Sequence, residues 1–390
     1  MLTLGIGSAA AYLTPDELSV SPDSEISFCS FPISVKYDTA DAASDISAEN
    51  TASARIMLFG SVPVKEVNVN FTQRKNVTLG GEPFGIRLYT DGLVVAQTSD
   101  VPTAGGNKNP AADAGICSGD VITSVEGKKL ETNEQLMDIV ETSGGNPISI
   151  TGCRDGKSYT TKITPVRDVQ LKSYRIGLWV RDSCAGIGTV TFTDKETGTF
   201  AGLGHGISDS ESGSIMPLAE GDIVFANIAS VEKSTGGYPG SLSGFFTDNR
   251  AIGKISANAE CGIFGKLNGN AFCQGEDIPV AFRQEVVRGK AQVCTTISGN
   301  TPEYYDIEIE DISYNNVNIT KNMVIKITDT ELLKKTGGIV QGMSGSPIIQ
   351  NGRLVGAVTH VFINDPSHGY AIFAENMTDF NNTFVQKETN

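Results

Sequence analysis

From residue 169 onward the chain holds almost no long helical periodicity. Short β-prone runs punctuated by glycine follow one another instead, at 175–180, 188–193, 223–231, 251–256, 306–312, 323–328, 338–341, 347–349 and 354–359. Runs this short and this regularly spaced cannot build a helical bundle or a wound α/β sheet, and they predict an all-β barrel or sandwich. Glycine usage agrees: 43 of 390 residues are Gly, above the roughly 7% of average chains, so tight turns should be many.

The chain before residue 169 divides into two stretches. Residues 14–53 are acidic and rich in Ser and Ala, and 54–72 alternate as strands do, as in Val62-Pro-Val-Lys-Glu-Val-Asn-Val-Asn-Phe71. From about 76 the texture changes. Phe84-Gly85-Ile86 and 92–97 read as strands, Pro110-Ala-Ala-Asp-Ala-Gly115 as a short helix, and 148–153 and 158–166 as closing strands. Thr132-Asn-Glu-Gln135 is a capping-box pattern followed by Leu136, Ile139 and Val140 at helical spacing. This order, with Ala114-Gly-Ile-x-x-Gly-Asp-Val-Ile122, resembles a PDZ domain of the kind attached to bacterial proteases. The resemblance implies capture of a peptide by β-augmentation. It places a cradle for a terminal carboxylate at the amides of Phe84, Gly85 and Ile86. The expected division is 1–75 N-terminal segment, 76–168 PDZ domain and 169–390 the β-rich domain.

Composition removes several function classes. Thirty basic against 45 acidic residues give a net charge of −15, the opposite of the basic footprint that nucleic acid or anionic lipid requires. Seven Cys (29, 117, 153, 184, 261, 273 and 294) contain no C-x-x-C, and only three His accompany them. A paired-ligand zinc site is not expected; one disulfide stays open as an alternative, and buried free thiols are the simpler reading. Residues 1–13 are apolar but short and lack a basic start, as in an ordinary N-terminal strand or the remnant of a signal or anchor.

Chemistry concentrates at Gly342-Met343-Ser344-Gly345-Ser346-Pro347. Glycines flanking a serine let the backbone aim amides at one point while exposing the hydroxyl. The amides of Gly342 and Ser344 would form an oxyanion hole. A serine needs a base, and His205, in Leu203-Gly-His-Gly-Ile-Ser-Asp209, is favoured over His360 and His368 because glycines open space around its ring. The third member, which orients the imidazole, stays open among Asp329, Asp209, Asp222 and Asp306, although Asp329 would give the order His, Asp, Ser. A Ser–Lys arrangement using Lys326, Lys334 or Lys335 is the rival chemistry, and a PDZ-bearing scaffold docking on a membrane partner is the rival function.

Longer motifs narrow this. Leu203–Asp209, Met323-Val-Ile-Lys-Ile-Thr-Asp329, Thr336-Gly-Gly-Ile-Val-Gln-Gly-Met-Ser-Gly-Ser-Pro-Ile-Ile-Gln350, Gly356-Ala-Val-Thr-His-Val-Phe362 and Tyr174-Arg-Ile-Gly-Leu-Trp-Val-Arg-Asp-Ser183 resemble the stage IV sporulation protein B family. These are PDZ-containing, chymotrypsin-like serine peptidases of endospore formers. The resemblance covers about 76–377. It implies a mostly β fold, with a PDZ domain ahead of a double β-barrel, and a triad of His205, Asp329 and Ser344 needing no metal or cofactor. It implies export from the forespore to the space between the two forespore membranes and self-processing near the N-terminus. It also implies cleavage of a membrane-bound regulator, which leads to sigma factor activation.

Overall fold

The computed structural model describes residues 14–21, 33–37, 51–314 and 317–389. Residues 1–13 and Cys29 lie outside them.

Two six-stranded barrels form the body, and the mostly β architecture follows the spacing of the short runs. The first barrel contains β1 (Pro83–Thr98), β2 (Leu178–Asp194), β3 (Thr199–Gly202), β4 (Leu218–Glu232), β5 (Gly253–Ala259) and β6 (Gly262–Leu267). Antiparallel pairings run β1–β4–β5–β6–β3–β2, and β2 pairs back onto β1 to close the ring. Phe84, Ile86, Val190, Phe200, Ile223, Ile255 and Ile263 fill it.

The second barrel contains β7 (Gly289–Thr295), β8 (Glu303–Ile312), β9 (Met323–Ile327), β10 (Pro347–Gln350), β11 (Arg353–Val361) and β12 (His368–Phe373), closed in the order β7–β8–β9–β12–β11–β10. Its core is aliphatic, from Val293, Ile307, Ile309, Ile325, Ile348, Val355 and Val358. A separate cluster containing Phe192, Phe264, Leu354, Ala357 and Ile372 draws on strands of both barrels. A four-stranded sheet from Glu17–Val20, Ile33–Tyr37, Thr51–Leu58 and Val62–Phe71 precedes them, with its own core of Leu18, Ile56, Val67 and Val69.

The remaining module is inserted between β1 and β2. The far end of β1 continues into it and pairs with Val121–Val125, which joins Ile148–Arg154 and Lys157–Ile163. Helix α1 (Asn133–Thr142) packs Leu136 and Val140 onto this sheet. The capping box is present: the Thr132 hydroxyl accepts from the Gln135 amide, and the Gln135 side chain accepts from the Thr132 amide. Pro110–Asp113 makes the short helix. Two further helices follow, α2 (Thr330–Thr336) and α3 (Ala374–Thr389).

One boundary differs from the expectation. Residues 76–90 belong to the first barrel, not to the PDZ-like module. Asn76–Leu79 pairs with β2, and the first half of β1 is hydrogen-bonded on both sides, to β2 and to β4. The modules meet in mid-strand near Gly92, whose φ of 96° lies in the left-handed region that glycine tolerates. Residues 178–180 and 188–193, read as parts of separate runs, are likewise one strand, β2, while Tyr174–Arg175 pairs apart from it with Val166–Arg167.

Candidate active site

The nucleophile loop connects α2 to β10. Gly342 and Gly345 adopt φ of 100° and 93°, which bend the chain sharply around Met343 and Ser344. A Cβ on Gly345 would lie 2.2 Å from the Thr189 carbonyl oxygen and 2.5 Å from the Leu203 amide. Only glycine lets the second barrel's loop press this closely against the first. Among the described backbone hydrogen bonds, the amides of Gly342 and Ser344 donate to none, whereas those of Met343, Gly345 and Ser346 are all engaged. The two amides expected to form an oxyanion hole are thus the two left available.

His205 follows β3, where the chain turns through Leu203 and Gly204 at φ of 67° and 68°. Asn258 clamps its loop: the Ile207 amide donates to the Asn258 Oδ1 at 2.8 Å, and Nδ2 donates to the carbonyls of Ile207 and Met216, each at 2.9 Å. The Gly206 amide donates to the Glu260 carbonyl. The ring is half-buried, and its Nδ1 lies 2.9 Å from the Gly206 carbonyl oxygen. Burial lowers its pKa below 6.5, and the carbonyl partly opposes this. The imidazole is therefore neutral, the form a general base needs.

His205 and Ser344 line one cleft of about 710 Å³ between the barrels, with Gly342, Cys184, Ile187, Glu260, Thr320, Thr359 and His360. His360 belongs to this cleft and not merely to strand packing. Its ring centroid is 5.1 Å from that of His205, and burial together with the neighbouring His205 and Lys321 lowers its pKa to about 4. The Ser344 hydroxyl donates to the Thr359 carbonyl at 3.1 Å, so the serine rests against β11.

The structure separates the expected orienting acid from this cleft. Asp329 caps α2, its Oδ1 accepting from the Leu332 amide at 2.9 Å. It lies just beyond the end of β9, and neither Asp329 nor any residue of α2 is among those lining the cleft. Among the described residues, none of the four candidate acids touches His205. Asp209 turns the loop by accepting from the amides of Glu211 and Ser212 and pairs with Arg181 at 2.7 Å. Burial opposes its charge, but these donors prevail and lower its pKa. Asp222 pairs with Arg87 at 2.6 Å, and Asp306 accepts from Gln292. Among the described residues no lysine lines the cleft; Lys326 pairs with Glu310 at 3.7 Å. His368 pairs with Asp365 and Glu310 away from it.

The peptide cradle expected at Phe84, Gly85 and Ile86 is also corrected. Phe84 is fully buried in the first barrel, and backbone already paired on both sides cannot accept a peptide strand. The module has another groove, of about 630 Å³, between Leu136, Met137 and Val140 of α1 and Ile176, Leu178 and Val180. Within the described pairings, the start of β2 is bonded to β1 alone and keeps an open edge. Trp179, Leu171 and Met137 are exposed beside it. The sequence signal for this groove is Tyr174-Arg-Ile-Gly177, which carries the family resemblance but suggests no role by itself.

Comparison with known proteins places this geometry. The profile described as SpoIVB peptidase S55 matches residues 172–378, slightly more than half of the chain. A protein of Bartonella henselae described as a zinc metalloprotease is 36% identical over 87 residues, 22% of this chain and 24% of that protein. The chain spans about a quarter of the length of the relatives it matches. The PDZ domain of the SdrC-like protein from Listeria monocytogenes is 23% identical, covering 24% of this chain and 90% of that domain, at a TM-score of 0.20. The inactive form of the Rv3671c protease of Mycobacterium tuberculosis is 14% identical, covering 51% of this chain and 84% of that one, at a TM-score of 0.28.

Proposed function

The chain belongs to the SpoIVB peptidase S55 family, and from that premise we propose that it is a serine endopeptidase with Ser344 as nucleophile and His205 as base. The observation that supports this reading is the convergence of both side chains and the open amides of Gly342 and Ser344 on one cleft. The Ser344 hydroxyl turns from the Thr359 carbonyl toward His205, gives up its proton and attacks the scissile carbonyl. The developing oxyanion is received by the two amides, and His205 then protonates the leaving amine. The Gly206 carbonyl, accepting from Nδ1–H, fixes the tautomer that leaves Nε2 as acceptor.

The substrate in this reading is a membrane-bound regulatory protein of sporulation, met between the forespore membranes, and the chain's own N-terminal region is a second one. The groove between α1 and β2 takes a peptide segment by strand addition. The test is labelling by a fluorophosphonate, which reacts with activated serines. Label on Ser344 that disappears in Ser344→Ala and His205→Ala supports the reading. Label that persists in Ser344→Ala overturns it. The resting Ser344–Thr359 hydrogen bond favours a second reading, a scaffold that binds without cleaving. That reading predicts no label in the wild-type chain, even with peptide in the groove.

A further inference from the structure

The nucleophile loop contains two glycines among the residues 341–345, so its own torsions do not fix it. Every one of its carbonyls is nevertheless held. The Leu242 amide donates to Gln341 O and the Ser346 amide to Met343 O. The other three are held by one strand of the opposite barrel. The Thr189 amide donates to Ser344 O at 3.1 Å. The Thr189 hydroxyl donates to Gly342 O at 2.9 Å and the Thr191 hydroxyl to Gly345 O at 2.8 Å.

Both threonines are buried, at 2% and 0% exposure. Both hydroxyls reach the same loop across a β-bulge between Val190 and Phe192, and those two residues turn into different apolar clusters. Valine has the same branched shape, so packing alone does not call for a hydroxyl at either position. A buried hydroxyl and a buried carbonyl each need a partner, and here they satisfy each other across the barrel interface.

We propose that Thr189, assisted by Thr191, is a positioning residue that sets the oxyanion hole, an inference that rests on Ser344 acting as nucleophile. The peptides on either side of Met343–Ser344 are the ones Thr189 holds. With their carbonyls tied toward β2, the Ser344 amide between them keeps a fixed direction, and the Gly342 amide borders the first of them. Freeing Gly342 O leaves the 342–343 peptide held only through the Met343 amide, which donates to the Val340 carbonyl, and an ångström of misplacement is enough to slow catalysis by ~10²-fold.

The experiment measures fluorophosphonate labelling of Ser344 and peptide hydrolysis in the full chain, with hydrogen exchange of the 342–346 amides as a readout that needs no activity. Thr189→Val should slow labelling roughly 10- to 100-fold and lower kcat with KM little changed. Thr189→Ser should restore both. Thr191→Val should act in the same direction with a smaller effect, and it carries the test if Thr189→Val does not fold. Thr193→Val, further along β2 and bonded instead to Phe272 O at 3.2 Å, is the control and should leave labelling unchanged. Wild-type labelling in Thr189→Val, or equal slowing in Thr189→Ser, overturns the proposal. Absence of label in the wild-type chain would instead defeat the peptidase reading. Loop exchange then decides the positioning claim: faster in Thr189→Val than in Thr193→Val upholds it, and equal rates overturn it.

Discussion

In the proposed mechanism each barrel contributes one reactive side chain, yet the two barrels are assembled differently. The second closes within residues 289–373, and its nucleophile loop is a local feature between α2 and β10. The first must bring β1 to β2 across the whole inserted module, residues 99–177, before it can close. Loop closure of that length is entropically unfavourable and slow. The chemistry at Ser344 is thus written in one short stretch of sequence, whereas the position of His205 depends on long-range pairing. Its loop is also tied to β2 through the Arg181–Asp209 ion pair. The module, the His205 loop and the nucleophile loop all touch β2.

The largest expected effect tests whether the halves act as one unit. Ser344→Ala and His205→Ala should each lower kcat by ~10⁴-fold or more, and the double variant should be no worse than either alone. Thermal melts of all three should match the wild type. Additive losses would mean that the two side chains do not serve the same step, and the barrels would then contribute separate functions.

Next is the first barrel's packing. A Cβ on Gly85 would sit 2.4 Å from the Phe246 ring and 2.6 Å from Val224. Gly85→Val therefore overpacks the barrel, with a cost of about 1–3 kcal/mol. Cleavage of a protein substrate and of a short peptide should fall together as the melting temperature falls. Selective loss on the protein substrate at an unchanged melting temperature would return the carboxylate cradle to residues 84–86. Met137→Glu, on the open groove, should instead impair protein cleavage alone.

The acid limb of the pH profile is the third test. The base works as neutral imidazole, and burial lowers the pKa of His205. Activity should therefore persist below pH 6.5 and fall tenfold per unit only beneath the lowered pKa. Stability follows the same sign. The unfolded chain binds protons at His205 and His360 that the folded chain refuses, so stability declines as pH drops from 6.5 toward about 4, the value for His360. His360→Gln should shrink that decline. A limb above pH 7 would favour a lysine base, although no lysine among the described residues lines the cleft.

What the sequence made legible follows the same division. The barrels and α1 with its capping box were readable because each has a local signature, the spacing of short runs and a Thr-x-x-Gln pattern, and the glycines around Ser344 and His205 pointed to two side chains that line one cleft. The module boundary was not, because β1 passes from barrel to module within one strand, with no loop to mark the change. The expected cradle fell in the barrel for the same reason: Phe84-Gly85-Ile86 has the pattern of a groove strand, but the open groove of the module lies beside residues 178–180. The role of β2 was invisible because a threonine in a strand is ordinarily a β-branched filler. Its partners Gly342 and Gly345 lie about 150 residues away.

The smallest expected effect is at Asp329, where the two barrels' accounts diverge most. If this carboxylate orients His205, removing its charge should lower kcat steeply, by ~10⁴-fold, because the wrong tautomer of the base is then favoured. The structure gives it a different role, in which Oδ1 of Asp329 accepts from the Leu332 amide and starts α2. Asn caps a helix about as well as Asp, whereas Ala loses about 1 kcal/mol. Asp329→Asn should therefore leave both kcat and the melting temperature nearly unchanged. Asp329→Ala should lower the melting temperature by a few degrees and reduce activity only as far as α2, which leads into the nucleophile loop, loosens. The pair of variants separates the roles because a triad acid is defeated equally by Asn and by Ala, while a cap distinguishes them. A steep loss of kcat in Asp329→Asn with an unchanged melt would show that α2 and the loop it leads into must move toward His205 before catalysis. The second barrel would then be the one whose site is incompletely assembled at rest.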